Sequence, residues 1–418
     1  SFLPPPEERH IKHLKRRTLG KTIEQLINIT QNHRTKVYIS MAIVVALSIF
    51  GLSQIKISGK LLDDIPDKDP IKVDVKFFEK NFDGIMPLEL VIDTKTPNGI
   101  LQTSTLKKLD EIDKHIESYD DISSSLSIVN VVKMAKQAFY NGNPRFYSLP
   151  GNTERNFLLS YVNNSEADLT LAKSFVDSTM QKSRMSFRVH DIGTKRMNEL
   201  YDSIMHNVRI HFPADKFDVM ITGSMVVFYK GNEYLVKNLI TSLALAIFAI
   251  ALFMAFMFKT PKMVIMSLIP NIIPLLFTGA VMGFANIPIK ASTILVFSIA
   301  FGISVDNTIH FLAKYRQELM TNNWNVQKSI IKALRETGVS MIYTSTVLFF
   351  GFGIFAISKF GGTQALGVLV SMTLLVALIS NLILLPSLLI GLEKFTSTKA
   401  IRKANIDVLI EDDEEKPQ

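Results

Sequence analysis

Residues 301–316 read Phe301-Gly302-Ile303-Ser304-Val305-Asp306-Asn307-Thr308-Ile309-His310-Phe311-Leu312-Ala313-Lys314-Tyr315-Arg316, and they set an acid near the centre of an apolar block, Ala291–Leu312. Roughly 20 apolar residues cross the hydrocarbon of a bilayer. An ionisable side chain at that depth costs about 2.5–3.5 kcal/mol even on mild insertion scales, so it is kept where it is paired or used. The block therefore reads as a membrane span with a functional acid, Asp306. The competing reading is a fixed hydrogen-bonding peg between helices.

Counting in fours from the acid gives Ser298, Gly302, Asp306, His310 and Lys314, while Ile299, Ile303, Val305, Ile309 and Phe311 cover most of the remaining surface. This predicts a helix that turns its polar stripe inward and its apolar sides to lipid or other helices. Gly302, one turn before the acid, leaves room for a neighbouring backbone or a water. Desolvation presses a carboxyl toward its neutral form and a nearby His or Lys toward its charged one, the balance that a proton carrier needs. A proton moving down the membrane potential releases about 2.3 kcal/mol per 100 mV, enough to bias a two-state helix rearrangement. His310, near the cytoplasmic end, reads equally as a relay or an interfacial packing residue. The amide of Asn307 does not titrate, and it reads as packing glue beside the acid.

Five more apolar blocks flank this one: Val37–Ile55 before it, then Asn238–Phe258 and Met263–Ala285, and after it Ser340–Ile357 and Thr363–Leu392. None of these contains a formal charge. Of the 418 residues 47% are hydrophobic and 20% charged, and the clustering into blocks points to lipid, not to a soluble core. The formal charge of +8 is concentrated in Lys and Arg at the block ends, which argues for membrane orientation and against nucleic acid. With no cysteine, disulfides, zinc-thiolate sites and thiol nucleophiles are excluded.

The resulting fold class is a polytopic α-helical membrane protein with six transmembrane helices and an inserted α+β extracytoplasmic domain. Residues 1–36 form a basic cytoplasmic segment with an amphipathic helix near Thr22–Ile29, and 37–55 the first span. Residues 56–235 are long enough for a core of their own. In them, strand-like runs at Leu88–Ile92, Phe157–Val162, Met185–His190 and Phe217–Thr222 alternate with helix-like runs at Leu101–Ser118, Leu126–Phe139, Asp168–Gln181 and Thr194–Phe212. Residues 236–392 form a five-helix bundle, with Asn325–Gly338 as an amphipathic surface helix, and 393–418 a disordered cytoplasmic tail. Lys259, Lys262, Lys314, Arg316, Lys328, Lys332, Arg335 and Lys394 fall on alternate connections, which puts both ends in the cytoplasm and 56–235 outside.

Other polar features sit near the acid. Thr344, Ser345 and Thr346 could bond to the carboxyl, although Ser and Thr in spans often bond to their own backbone. Pro270 and Pro274 occupy consecutive turns of one span and predict a kink or hinge. Gly351 suggests close helix packing. No phosphate-binding glycine loop, HExxH or GxSxG occurs, so ATP hydrolysis, zinc proteolysis and serine hydrolysis lack support and no enzyme activity is expected.

One span, a large external domain and five clustered spans resemble one repeat of the resistance-nodulation-division (RND) superfamily, especially its MMPL-like exporters and their sterol-sensing relatives. The run Gly302-Ile303-Ser304-Val305-Asp306-Asn307 with His310-Phe311-Leu312 and Tyr315-Arg316 looks like the family's proton-coupling helix. Thr344-Ser345-Thr346 and Gly351 match the neighbouring relay helix. Family members often carry a second acid or a Tyr where this chain has Asn307. They also normally have two repeats, which makes this chain the expected C-terminal half of a longer protein. The resemblance implies proton-driven antiport and efflux of a hydrophobic or amphiphilic cargo, such as a lipid or drug-like molecule, across a bacterial inner membrane. It implies no cofactor beyond the proton gradient. Expected partners are membrane lipids, the missing N-terminal repeat, and a homo-oligomer or periplasmic proteins. The alternative is a non-transporting sterol- or lipid-sensing scaffold or protein-translocation accessory of the same architecture.

Overall fold

The structure, a computed structural model, describes residues 17–57, 59–60, 62–151, 154 and 172–392. The expected strand Phe157–Val162, the start of the expected helix at Asp168, the residues before Arg17 and the acidic tail lie outside the described residues. In chain order the first elements are α1 (Arg17–Asn32), α2 (Arg34–Leu52), α3 (Pro70–Asn81), β1 (Met86–Asp93), α4 (Thr103–Glu117), α5 (Ile128–Phe139), β2 (Lys182–Val189), α6 (Gly193–His211) and β3 (Asp218–Thr222). Then come α7 (Ser224–Phe258), α8 (Pro261–Phe284), α9 (Ala291–Thr321), α10 (Val326–Gly353), α11 (Gly361–Ile379) and α12 (Leu385–Leu392). A 3-10 turn, Ile354–Ile357, ends α10, and a π turn, Ser380–Leu384, joins α11 to α12.

Among the described residues six helices are long and apolar enough to cross a membrane: α2, α7, α8, α9, α10 with its 3-10 turn, and Gly361–Gly391. The chain divides into two compact units, Ser58–Tyr234 and the residues on either side of it.

In the helical unit α2 packs on α8 through small residues. A Cβ on Gly283 would lie 1.9 Å from the Gly51 oxygen, and one on Gly51 2.7 Å from Ala280, so only glycine lets the backbones approach this closely. The expected surface helix Asn325–Gly338 is instead the first half of α10, continuous with the span. Its apolar residues Ile330, Ala333 and Leu334 are buried with Ile23 and Ile27 of α1 and Leu385 and Leu389 of α12, so the face expected to meet lipid is covered by protein. The Asn325 side chain caps this longer helix by accepting from the Lys328 N–H.

The unit Ser58–Tyr234 holds a small antiparallel sheet in the order β2-β1-β3. Alternation along β1 buries Leu88, Leu90 and Ile92, against which pack Leu109, Ile112 and Ile116 of α4 and Met197, Leu200, Ile204 and Val208 of α6. The opposite face carries charges, with Arg184 3.5 Å from Glu89 and Lys182 3.4 Å from Asp93. One covered and one polar face is the ordinary arrangement of an antiparallel sheet. The expected helix Asp168–Gln181 is overturned over its described part, which becomes turns after Lys173. Asp177 is the cause: its carboxylate accepts from the backbone N–H groups of Thr179, Gln181 and Lys182 and holds the chain in a turn that leads into β2.

Candidate functional site

The site is built on α9, a continuous helix of 31 residues. The Phe301, Ser304, Val305, Thr308 and Phe311 side is buried, and Leu295, Ser298, Gly302, Asp306 and His310 are exposed. The expectation that the polar stripe turns inward is overturned, because α9 has two polar stripes and its neighbours cover the uncharged one. Asp306 and His310 lie one turn apart on the outer surface, their side chains 69% and 71% exposed, with His310 Nε2 3.4 Å from Asp306 Oδ1. Lys314, the next member of the stripe, is not their partner. Its ammonium is tied to Glu318 at 3.1 Å and to Glu336.

The remaining expected site residues separate into local groups. Asn307 is buried, and its amide reaches Ser345 Oγ at 3.5 Å, so these two join α9 to α10. The Thr344 hydroxyl donates to the Ser340 and Met341 carbonyls and that of Thr346 to the Ile342 carbonyl, each within its own helix. Both threonines are exposed. Gly302 and Gly351 pack against nothing: a Cβ on either would meet open space, which corrects the expectation of close packing within this repeat. That role belongs to Gly367, where a Cβ would lie 2.6 Å from the Ala356 nitrogen.

Pro270 and Pro274 stand inside an uninterrupted α8. Proline has no N–H, so Pro274 leaves the Pro270 carbonyl without its helical donor. Ser380 in the π turn supplies one, its hydroxyl 2.9 Å from the Pro270 oxygen. Thr278 donates to the Pro274 carbonyl at 2.8 Å. Between the two prolines Asn271 projects into a polar cluster with Ser304 and Thr308 of α9 and Asn381 of the π turn. Sequence reading passed over this cluster. The available signal was a polar side chain in an apolar span, as at Asp306, here the amides of Asn271 and Asn381.

A separate apolar cavity of about 460 Å³ opens between the end of α10 and α11, lined by Phe350, Gly353, Ile357, Gly367, Val368 and Met372 among others. Ser371 on its wall donates to the Phe349 carbonyl at 3.0 Å, which leaves that hydroxyl's hydrogen committed inside the protein.

A membrane protein of Methanocaldococcus jannaschii is 20% identical to this chain over 381 residues, an alignment covering 88% of the chain and 94% of that relative. The model of the MMPL family matches residues 102–407, a stretch that contains most of the smaller unit, five of the six apolar helices and Asp306. With its six apolar helices and a family match over most of its length, the chain is a membrane protein and belongs to the MMPL family.

Proposed function

We propose that the chain is one repeat of a proton-driven secondary exporter, in which Asp306 takes up and releases the coupling proton and His310 is its first polar neighbour. The observation that carries this reading is the Asp306–His310 pair on the outer surface of a membrane-crossing helix. Facing lipid, that pair would sit where charge is most costly, so a second protein surface covers it in the working assembly. Gly302, one turn from Asp306 with open space beside it, marks the same face as one that another backbone can approach closely. That surface is a second repeat, on the same polypeptide or on a second copy.

The cargo is hydrophobic or amphiphilic. Family membership and the apolar cavity between α10 and α11 support this, its volume lying within the roughly 300–1,000 Å³ that proteins commonly use for small molecules. The membrane is a bacterial plasma membrane, with Lys- and Arg-bearing connections on the cytoplasmic side and Ser58–Tyr234 on the other. The test is proton-gradient-driven efflux by the full-length protein in proteoliposomes, wild type against Asp306→Asn at matched protein level. Loss of efflux in the variant is expected. Retained gradient-dependent efflux would move the coupling site away from Asp306, and no efflux by either protein would favour the non-transporting sensor or scaffold.

A further inference from the structure

The cluster between α8, α9 and the π turn contains more oxygen contacts than it has hydrogens to fill. Ser304 Oγ lies 2.9 Å from Asn271 Oδ1. Thr308 Oγ1 lies 2.8 Å from Asn271 Oδ1, 2.7 Å from Asn381 Oδ1 and 3.3 Å from the Ser304 carbonyl oxygen. A hydroxyl donates one hydrogen, so two hydrogens face the three oxygen–oxygen contacts among the side chains. The amide nitrogens point away from these contacts: Asn271 Nδ2 donates to the Ser267 carbonyl at 2.9 Å, and Asn381 Nδ2 donates to the Ser304 carbonyl at 3.2 Å, which supplies that oxygen with a hydrogen. Turning either amide over would give the hydroxyls an N–H donor but set two oxygens face to face elsewhere. Asn271 Oδ1 would then face the Ser267 oxygen, and Asn381 Oδ1 the Ser304 oxygen. All four side chains are 0% exposed, so bulk water does not make up the difference.

Converging oxygens that lack hydrogens are what a hard cation binds. We propose that Asn271 Oδ1, Ser304 Oγ, Thr308 Oγ1 and Asn381 Oδ1 form a binding site for a monovalent alkali cation, sodium first. The charge follows from the ligands, since all four are neutral, whereas sites for divalent ions are built with carboxylates. Its surroundings fit an ion site in a membrane, where interrupted helices commonly supply the ligands. Here the π turn breaks the regular ladder between α11 and α12, and α8, though continuous, carries Pro270 and Pro274, which lack N–H groups. The bound ion ties α8 and the π turn to the buried side of the helix that carries Asp306. This inference stands apart from the proton-coupling reading, because the two sites share a helix but no ligand.

The test is thermal unfolding of the purified full-length protein in sodium, lithium, potassium and choline chlorides at one ionic strength, with equilibrium binding of radioactive sodium beside it. A melting temperature several degrees higher in sodium than in choline is expected, with sodium binding that saturates. Thr308→Val keeps the shape and removes the hydroxyl, and Ser304→Ala is the milder second variant. Both should lose the sodium-dependent rise, while Asp306→Asn should keep it. Equal melting in all four salts overturns the site, and so does a sodium effect that survives both Thr308→Val and Ser304→Ala. A sodium effect lost in Asp306→Asn overturns it too, by moving the ion to the outer face.

Discussion

His310 Nε2 stands 3.4 Å from Asp306 Oδ1, one helical turn away, on a face of α9 that no other described element covers. An exposed ion pair of this kind adds about 0–1 kcal/mol. Asp306→Asn should therefore leave the melting temperature of the detergent-purified protein nearly unchanged while proton-driven efflux is lost. A fall of many degrees would identify Asp306 as a structural peg.

The alternation at Leu88, Leu90 and Ile92 and the apolar blocks were readable because each pattern expresses one force, burial against a sheet face or in lipid. The facing of α9 was not. A period of four tells which residues share a face, but the neighbouring helices decide which of two polar stripes to cover, and Asn271 and Asn381 chose Ser304 and Thr308. The turn at Asp177 escaped for a similar reason, since one carboxylate accepting three backbone N–H groups outweighed the helical spacing around it. Asp306 was legible because a charge in an apolar block has few explanations. Its pairing with His310 followed from i,i+4 geometry, and its exposure did not.

Two glycines in spans make opposite predictions. A Cβ on Gly283 would lie 1.9 Å from the Gly51 oxygen, a backbone atom that moves only with α2, so Gly283→Ala should cost roughly 1–3 kcal/mol or more. Gly302→Ala meets open space and should leave the melting temperature unchanged or slightly raised, since alanine favours helix. If a second repeat covers that face, Gly302→Leu should impair transport in the complete assembly without destabilising the isolated chain. Thermal unfolding and efflux measured together check both parts.

Ser380 supplies the donor that Pro274 withholds from the Pro270 carbonyl, at 2.9 Å. Ser380→Ala leaves that buried oxygen unpaired, and interhelical bonds of this kind in membranes average about 0.6 kcal/mol with a maximum near 1.7. A small drop in melting temperature is expected. Ser380→Ala combined with Pro274→Ala should recover it, because an alanine in place of the proline restores the helical N–H. A double variant no more stable than Ser380→Ala would show that the Pro270 carbonyl does not need the serine.

Asp113 on α4 gives the smaller unit a pH dependence. It is 7% exposed and its Oδ1 has no hydrogen-bond partner, so burial pushes its carboxyl above the usual range. Glu117 and Asp110 push the same way, against the Ser125 hydroxyl and Lys133. An acid raised in the folded state binds more protons folded than unfolded, so stability falls as pH climbs from the ordinary carboxylate value of about 3.9 through the folded one. Above that folded value the unit carries the full penalty of the buried charge. Asp113→Asn removes it, and the amide protons of α4 should exchange more slowly than in wild type at neutral pH. That advantage should shrink as the buffer is acidified and wild-type Asp113 becomes neutral. Faster exchange in the variant at neutral pH would mean that the ionised carboxyl is stabilised by Lys133 and Ser125 more than burial opposes it.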